Sequence, residues 1–77
     1  MICPSCLFMM NYIAQDFDQS RCCNRNLHTC VSCGALGIEY LDNYERRALM
    51  PDGVLLHIDN AGQIIEQLTE PRNPGGS

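Results

Sequence analysis

The sequence predicts a small α+β domain with short helices and a C-terminal β-hairpin, built around a cysteine cluster. Three observations support this fold class. The chain has 77 residues, so it can form one domain and buries only about 60% of its unfolded surface. Six residues are cysteines, and four of them form two CxxC pairs. Towards the C-terminus, two apolar runs flank a short polar turn, the pattern of a hairpin.

The two CxxC pairs, Cys3–Cys6 and Cys30–Cys33, predict a metal site. Four thiolates from two such pairs form the tetrahedral sulfur site that zinc prefers. A core of this size supplies only about 3–5 kcal/mol, whereas structural zinc contributes about 10–16 kcal/mol. We therefore expect one Zn²⁺ per chain, held by Cys3, Cys6, Cys30 and Cys33.

Three further residues are alternative ligands. Cys22, Cys23 and His28 lie between the two pairs, and each can replace one of the four cysteines. Free thiols at Cys22 and Cys23 and an ordinary strand histidine at His28 are the simpler interpretation. Disulfides would also use the cysteines, but no signal peptide pattern indicates an oxidising compartment. A redox dithiol at Cys3–Cys6 would need a preceding strand, and only two residues precede Cys3.

The CxxC and CxxCG motifs at residues 3–6 and 30–34 resemble those of small zinc-ribbon and treble-clef-like zinc-knuckle domains. The resemblance covers less than half of the chain and implies a structural zinc. It departs from the family pattern at Leu7, where a glycine usually follows the second cysteine. A four-thiolate site leaves no open position for water, so the sequence predicts a protein that is not an enzyme.

The elements follow in chain order. In residues 7–19, a helical period places five apolar residues on one face: Met9, Met10, Ile13, Ala14 and Phe17. This pattern favours a helix over a strand, although a zinc-ribbon fold has a strand at this position. Residues 18–24 are predicted to be a polar loop. Residues 25–30 and 35–41 flank the second CxxC pair as strands.

The next two segments are a short helix and a hairpin. Asp42 and Glu45 have the spacing of a capping box, so residues 43–49 are predicted to be helical and to end at Pro51. Residues 54–58 and 63–68 are predicted to form a β-hairpin. Its alternation places Val54, Leu56 and Ile58 in the core, with Leu55, His57 and Asp59 facing outwards. Residues 1–69 are predicted to form the zinc-binding domain, and 70–77 a flexible tail.

Charge and targeting patterns restrict the partners. The formal net charge is −4, with five arginines and no lysine. Four thiolates and one Zn²⁺ bring it to about −6. Nucleic-acid binders need clustered basic charge, so this composition argues against direct nucleic-acid binding. Neither a signal peptide nor a run approaching the ~20 apolar residues of a membrane span occurs, so we expect a cytoplasmic protein.

These patterns favour a small regulatory or inhibitor protein that binds a protein partner. Small acidic phage and plasmid inhibitors of nucleic-acid machinery, including anti-CRISPR and polymerase-binding proteins, are similar in size and charge. The predicted partner surface carries acidic and aromatic side chains: Asp16, Asp18, Glu39, Tyr40, Asp42, Tyr44 and Glu45. The hairpin edge also offers a homodimer contact. A zinc-ribbon transcription factor that binds nucleic acid, and a thiol redox or metal-handling protein, are the alternatives.

Overall fold

The computed structural model describes residues 1–69 and shows an all-β fold. One antiparallel sheet contains six strands in chain order. They are β1 (Asn11–Asp18), β2 (Cys23–Thr29), β3 (Leu36–Tyr40), β4 (Arg46–Leu49), β5 (Leu55–Ile58) and β6 (Ile64–Gln67). The predicted α+β class is therefore wrong, because no helix occurs in these residues. No helix in this part of the chain could cross a membrane. The tail predicted at 70–77 lies outside the described residues.

The helix predicted at residues 7–19 is replaced by a tight turn followed by β1. Leu7 adopts a left-handed conformation with φ 62°, which a right-handed helix cannot contain. The chain then reverses, and Met9 pairs with Ile2 in an isolated antiparallel bridge. Beyond this bridge, residues rich in β-branched and aromatic side chains pair with β2. Pairing with β2 therefore satisfies the backbone groups along one edge of β1.

The helix predicted at residues 43–49 is also wrong. Tyr44 lies at φ 60° in a turn, and the Tyr40 backbone N–H donates to the Glu45 carbonyl at 2.9 Å. The Asn43 side chain accepts the backbone N–H of Glu45 at 2.9 Å, which closes an Asx-type turn. The following residues form β4, which pairs with strands on both sides. The presumed capping box is therefore the turn between two strands.

The strand and hairpin predictions in the rest of the chain are confirmed. β2 and β3 flank the second CxxC pair as expected, although β2 already begins at Cys23, within the predicted polar loop. β5 and β6 form the predicted hairpin. Val54, Leu56 and Ile58 are buried, with 7%, 8% and 1% of their surfaces exposed. Their alternation with half-buried neighbours identified this inward face correctly.

The buried side chains form three small clusters on the two faces of the sheet. Ala48, Val54, Leu56 and Ile58 form one cluster, against which Met1 and Met50 pack. Cys23, Ile38 and Tyr40 form another. Because residues opposed across a strand pair share a face, the register places these two clusters on opposite faces. The third cluster contains Cys3, Met10, Cys30 and Ala35, and Cys6 and Cys33 pack against it.

The N-terminal segment lies directly on β3, at Gly37. A Cβ at Gly37 would lie 2.7 Å from the Met1 sulfur and 2.9 Å from the Met10 sulfur, so only glycine lets the two methionines approach this closely. Met10 donates its backbone N–H to the Met1 carbonyl at 2.7 Å. This contact fixes the first CxxC pair beside the end of the sheet that carries the second.

Candidate metal centre

The two CxxC segments adopt the same backbone turn. The Cys3 N–H donates to the Phe8 carbonyl at 3.0 Å, and the Leu7 N–H donates to the Cys3 carbonyl at 2.9 Å. At the second segment, the Cys30 N–H donates to the Ala35 carbonyl at 2.9 Å, and the Gly34 N–H donates to the Cys30 carbonyl at 2.8 Å. The hydrogen bonds join residues at the same spacing in both segments, so each CxxC pair forms the same tight turn, called a knuckle below.

Leu7 therefore occupies the position that Gly34 occupies in the second knuckle. Its φ of 62° matches the left-handed conformation of Gly34, at φ 83°. An L-residue in this conformation is strained by about 1–2 kcal/mol, which is why a glycine is expected at this position of a knuckle. The sequence signal that could have predicted this turn is the shared spacing, since Leu7 and Gly34 each directly follow the second cysteine of a CxxC pair.

The knuckles bring four sulfur atoms together. The Sγ atoms of Cys3, Cys6, Cys30 and Cys33 all lie within 4.8 Å of one another. The Cys3 and Cys33 sulfurs are 3.7 Å apart, far longer than a disulfide bond of about 2.05 Å. Four sulfurs placed tetrahedrally at about 2.3 Å from a zinc ion would be separated by about 3.8 Å. The cluster can therefore hold a metal ion, and its spacing fits zinc.

The protein encloses the cluster on several sides. Cys3 and Cys30 are buried, with 0% and 3% of their surfaces exposed, whereas Cys6 and Cys33 are half-buried. Met10 and Ala35 belong to the same buried cluster. Met1 and Met50 also pack against this cluster, so apolar side chains cover part of the four sulfurs.

Four thiolates this close to one another would repel, so the cluster favours a bound cation. The backbone N–H of Cys33 lowers the pKa of Cys30 to about 7, against the opposing effect of burial. The backbone N–H of Ala35 acts to lower the pKa of Cys33, but burial and the neighbouring Cys30, Cys3 and Cys6 thiols raise it to about 12. A divalent ion held by Cys3, Cys6, Cys30 and Cys33 would supply positive charge that stabilises thiolates, and its binding would release protons.

The three alternative ligands lie outside this cluster. The Cys22 thiol is exposed and donates to the Gln19 carbonyl at 3.4 Å. Cys23 is buried beside Ile38 and Tyr40. His28 packs edge-on against Tyr12, with the ring centroids 5.7 Å apart, and burial lowers its pKa. Among residues 1–69, the four knuckle cysteines are the one group of three or more such side chains close enough to hold a metal.

The acidic residues predicted to bind a partner form ion pairs within the sheet. Arg25 binds Asp16 through two hydrogen bonds of 2.8 and 2.5 Å and lies 3.9 Å from Asp18. The hydrogen bond from Arg25 lowers the pKa of Asp16. Glu39 lies 3.6 Å from Arg46 and 3.9 Å from His28. The charges of these carboxylates are therefore partly neutralised before any partner arrives.

The remaining predicted partner residues surround a second arginine. Arg21 binds Asp42 at 3.0 and 3.2 Å and Glu45 at 3.1 Å. Its guanidinium carbon lies 3.8 Å from the ring centroid of Tyr40, which is 5% exposed. Tyr44, by contrast, is 64% exposed. Sequence reasoning missed this network, because Arg21 is distant from its partners along the chain. Partner binding by these residues stays a prediction.

No protein-family model matches the chain, and neither a curated protein nor a solved structure matches it. The resemblance to zinc-ribbon and zinc-knuckle domains therefore rests on the four-cysteine cluster and its two turns.

The two knuckles make a paired prediction about stability. Nothing lies within 4 Å of a Cβ added at Gly34, so Gly34→Ala acts only through the positive φ and should lower the free energy of unfolding by about 1 kcal/mol. Leu7 is 65% exposed, so Leu7→Gly removes strain with little loss of packing. This substitution should raise the free energy of unfolding by up to about 1 kcal/mol. Chemical denaturation of the metal-loaded proteins measures both changes. Effects of the same sign would contradict the equivalence of the two turns.

Proposed function

We propose that this chain is a non-enzymatic zinc-binding protein of the cytoplasm that acts as a regulator or inhibitor by binding a protein partner. The closed four-sulfur cluster is the observation that carries the proposal. All four ligands come from the protein, so the metal has no open position at which to activate water or substrate. Zinc would then hold the first knuckle against the sheet and stabilise the surface that the partner recognises.

The ion pairs indicate where charge-based docking would occur. Within residues 1–69, three carboxylates form no ion pair: Asp52, Asp59 and Glu66. All three lie on the β5–β6 hairpin or its flanking turns. Their unneutralised charge favours a basic groove on the partner, such as a groove that otherwise holds nucleic acid.

The same pairing reduces support for a direct nucleic-acid binder. Each of the four arginines in the described part of the chain, Arg21, Arg25, Arg46 and Arg47, pairs with a carboxylate. A paired guanidinium would have to leave its carboxylate before contacting a phosphate, and counterion release by such groups is smaller. The protein-partner function is therefore the better supported one.

The proposal is tested by partner capture followed by affinity measurements. The zinc-loaded protein is used as bait in an extract of its native host, and the captured protein is identified and purified. Binding of that protein should weaken several-fold with Glu66→Lys, because Glu66 is exposed and unpaired, and the loss should shrink as salt is raised. Tyr44→Ala is the matched variant for the aromatic part of the predicted surface.

Three results would contradict the proposal. Retention of the purified protein on DNA or RNA at low salt would favour the nucleic-acid alternative. Turnover of a disulfide substrate would favour a redox role. Binding unchanged by both variants and by salt would remove the proposed surface.

A further inference from the structure

An open groove of about 600 Å³ lies beside the metal centre. Met50, Val54, Leu56 and Ile64 contribute apolar side chains to its walls. Of the four knuckle cysteines, only Cys33 is among the described residues that line the groove. A groove of this size admits a small molecule from solvent, so it provides a route to the Cys33 sulfur.

Cys33 differs from the other three ligands in its access to solvent. Cys3 and Cys30 are 0% and 3% exposed, whereas Cys33 is half-buried and lines the groove. Cys6 is half-buried too, but within residues 1–69 it is not part of the groove lining. Oxidants attack the thiolate form of cysteine, and a bound metal keeps its ligands in that form. Cys33 is therefore the ligand whose reactive sulfur is accessible from the groove.

We propose that Cys33 is a site of oxidative modification: hydrogen peroxide oxidises Cys33 through the groove, and a disulfide between Cys33 and Cys3 then releases the zinc. This inference rests on the zinc-binding part of the proposed function. In the first step, the Cys33 thiolate attacks one oxygen of the peroxide. The O–O bond breaks, hydroxide leaves, and Cys33 becomes a sulfenic acid.

The second step joins the two knuckles covalently. The Cys3 and Cys33 sulfurs are 3.7 Å apart, so the Cys3 thiolate is placed to attack the oxidised Cys33 sulfur. The S–O bond breaks, a second hydroxide leaves, and the disulfide forms. The two thiolates supply the two electrons that reduce one peroxide to two hydroxides. Cys6 and Cys30 remain as ligands, too few for the closed four-sulfur site that holds zinc.

Peroxide treatment of the zinc-loaded full chain tests this modification. The Cys22→Ser variant is used, because it removes the exposed thiol that lies outside the cluster. A chromophoric chelator measures the released zinc, and peptide mapping by mass spectrometry locates the oxidised cysteines. We expect zinc release to rise with the peroxide added. Dimedone should trap a sulfenic acid at Cys33 after brief exposure, and the mapped disulfide should join Cys3 to Cys33.

Ile64→Trp and Ile65→Trp, each added to Cys22→Ser, test the groove as the route of the peroxide. Ile64 lines the groove and is 56% exposed. Its neighbour Ile65 is 58% exposed and lies on the opposite face of β6. The larger side chain in Ile64→Trp should narrow the groove and slow zinc release several-fold. Ile65→Trp should release zinc at the same rate as Cys22→Ser alone.

Zinc that stays bound under excess peroxide would overturn the proposal. So would a sulfenic acid trapped at Cys6 instead of Cys33, a disulfide within either CxxC pair, or equal release rates in the two tryptophan variants. Peptide mapping of Cys22→Ser keeps the test decisive if Ile64→Trp fails to fold. A preparation that holds no zinc before treatment would instead contradict the proposed function, so the two failures are distinguishable.

Discussion

Removing the metal should abolish the cooperative unfolding transition of this protein. Within residues 1–69, the buried side chains form three clusters of only four, four and three residues. One of these clusters contains Cys3 and Cys30 themselves, so the sulfurs are part of the core. A structural zinc contributes about 10–16 kcal/mol, more than the about 3–5 kcal/mol expected from a core of this size. The chain without metal is therefore expected to be unfolded.

Cys30→Ser and Cys22→Ser form a matched pair for this prediction. Cys30 is buried in the four-sulfur cluster, and its replacement should remove metal binding and the thermal transition together. Cys22 is exposed and its thiol donates to the Gln19 carbonyl, so its replacement should change the free energy of unfolding by less than about 0.5 kcal/mol. Far-ultraviolet circular dichroism on heating measures both. A normal transition in Cys30→Ser would show that the cluster does not stabilise the fold.

Ile58→Ala should cause the largest loss of stability outside the metal centre. Ile58 is 1% exposed and packs with Ala48, Val54 and Leu56. Truncating a buried isoleucine to alanine removes transfer free energy and leaves a cavity, which together lower the free energy of unfolding by about 2–5 kcal/mol. In a domain of this size, that loss is a large share of the total.

Ile65→Ala is the control for Ile58→Ala, because the same atoms are removed from a side chain that is 58% exposed. Its free energy of unfolding should change by less than about 0.5 kcal/mol. Denaturant titration of the zinc-loaded proteins gives the midpoint and the slope of each transition. Equal losses in the two variants would mean that the core does not lie on the face identified here.

The four-cysteine cluster and the hairpin could be predicted from the sequence because their signals are local. Two CxxC pairs with equal spacing predicted which four cysteines come together, whatever the elements between them. In the hairpin, the alternation of Val54, Leu56 and Ile58 has a period of two, which only a strand provides. Both predictions depended on spacing alone and needed no information about distant contacts.

The two predicted helices failed because non-glycine residues occupy left-handed turns. Leu7 and Tyr44 lie at φ 62° and 60°, positions where a sequence reader expects glycine. Because no glycine marks either turn, the apolar spacing of residues 7–19 still matched a helix. Residues 43–49 still followed a plausible helix cap. The energy that favours these turns comes from long-range pairing, with β2 in one case and with β3 and β5 in the other. A local sequence pattern does not contain that information.

The most direct test of the account is mass spectrometry of the purified chain under native and denaturing conditions. We expect one zinc ion per chain in the native spectrum, and loss of that ion on denaturation to leave a mass with all six cysteines reduced. A folded protein without metal would contradict the central claim. So would a denatured mass lighter by two or four hydrogens, because the sulfurs would then be joined in disulfides.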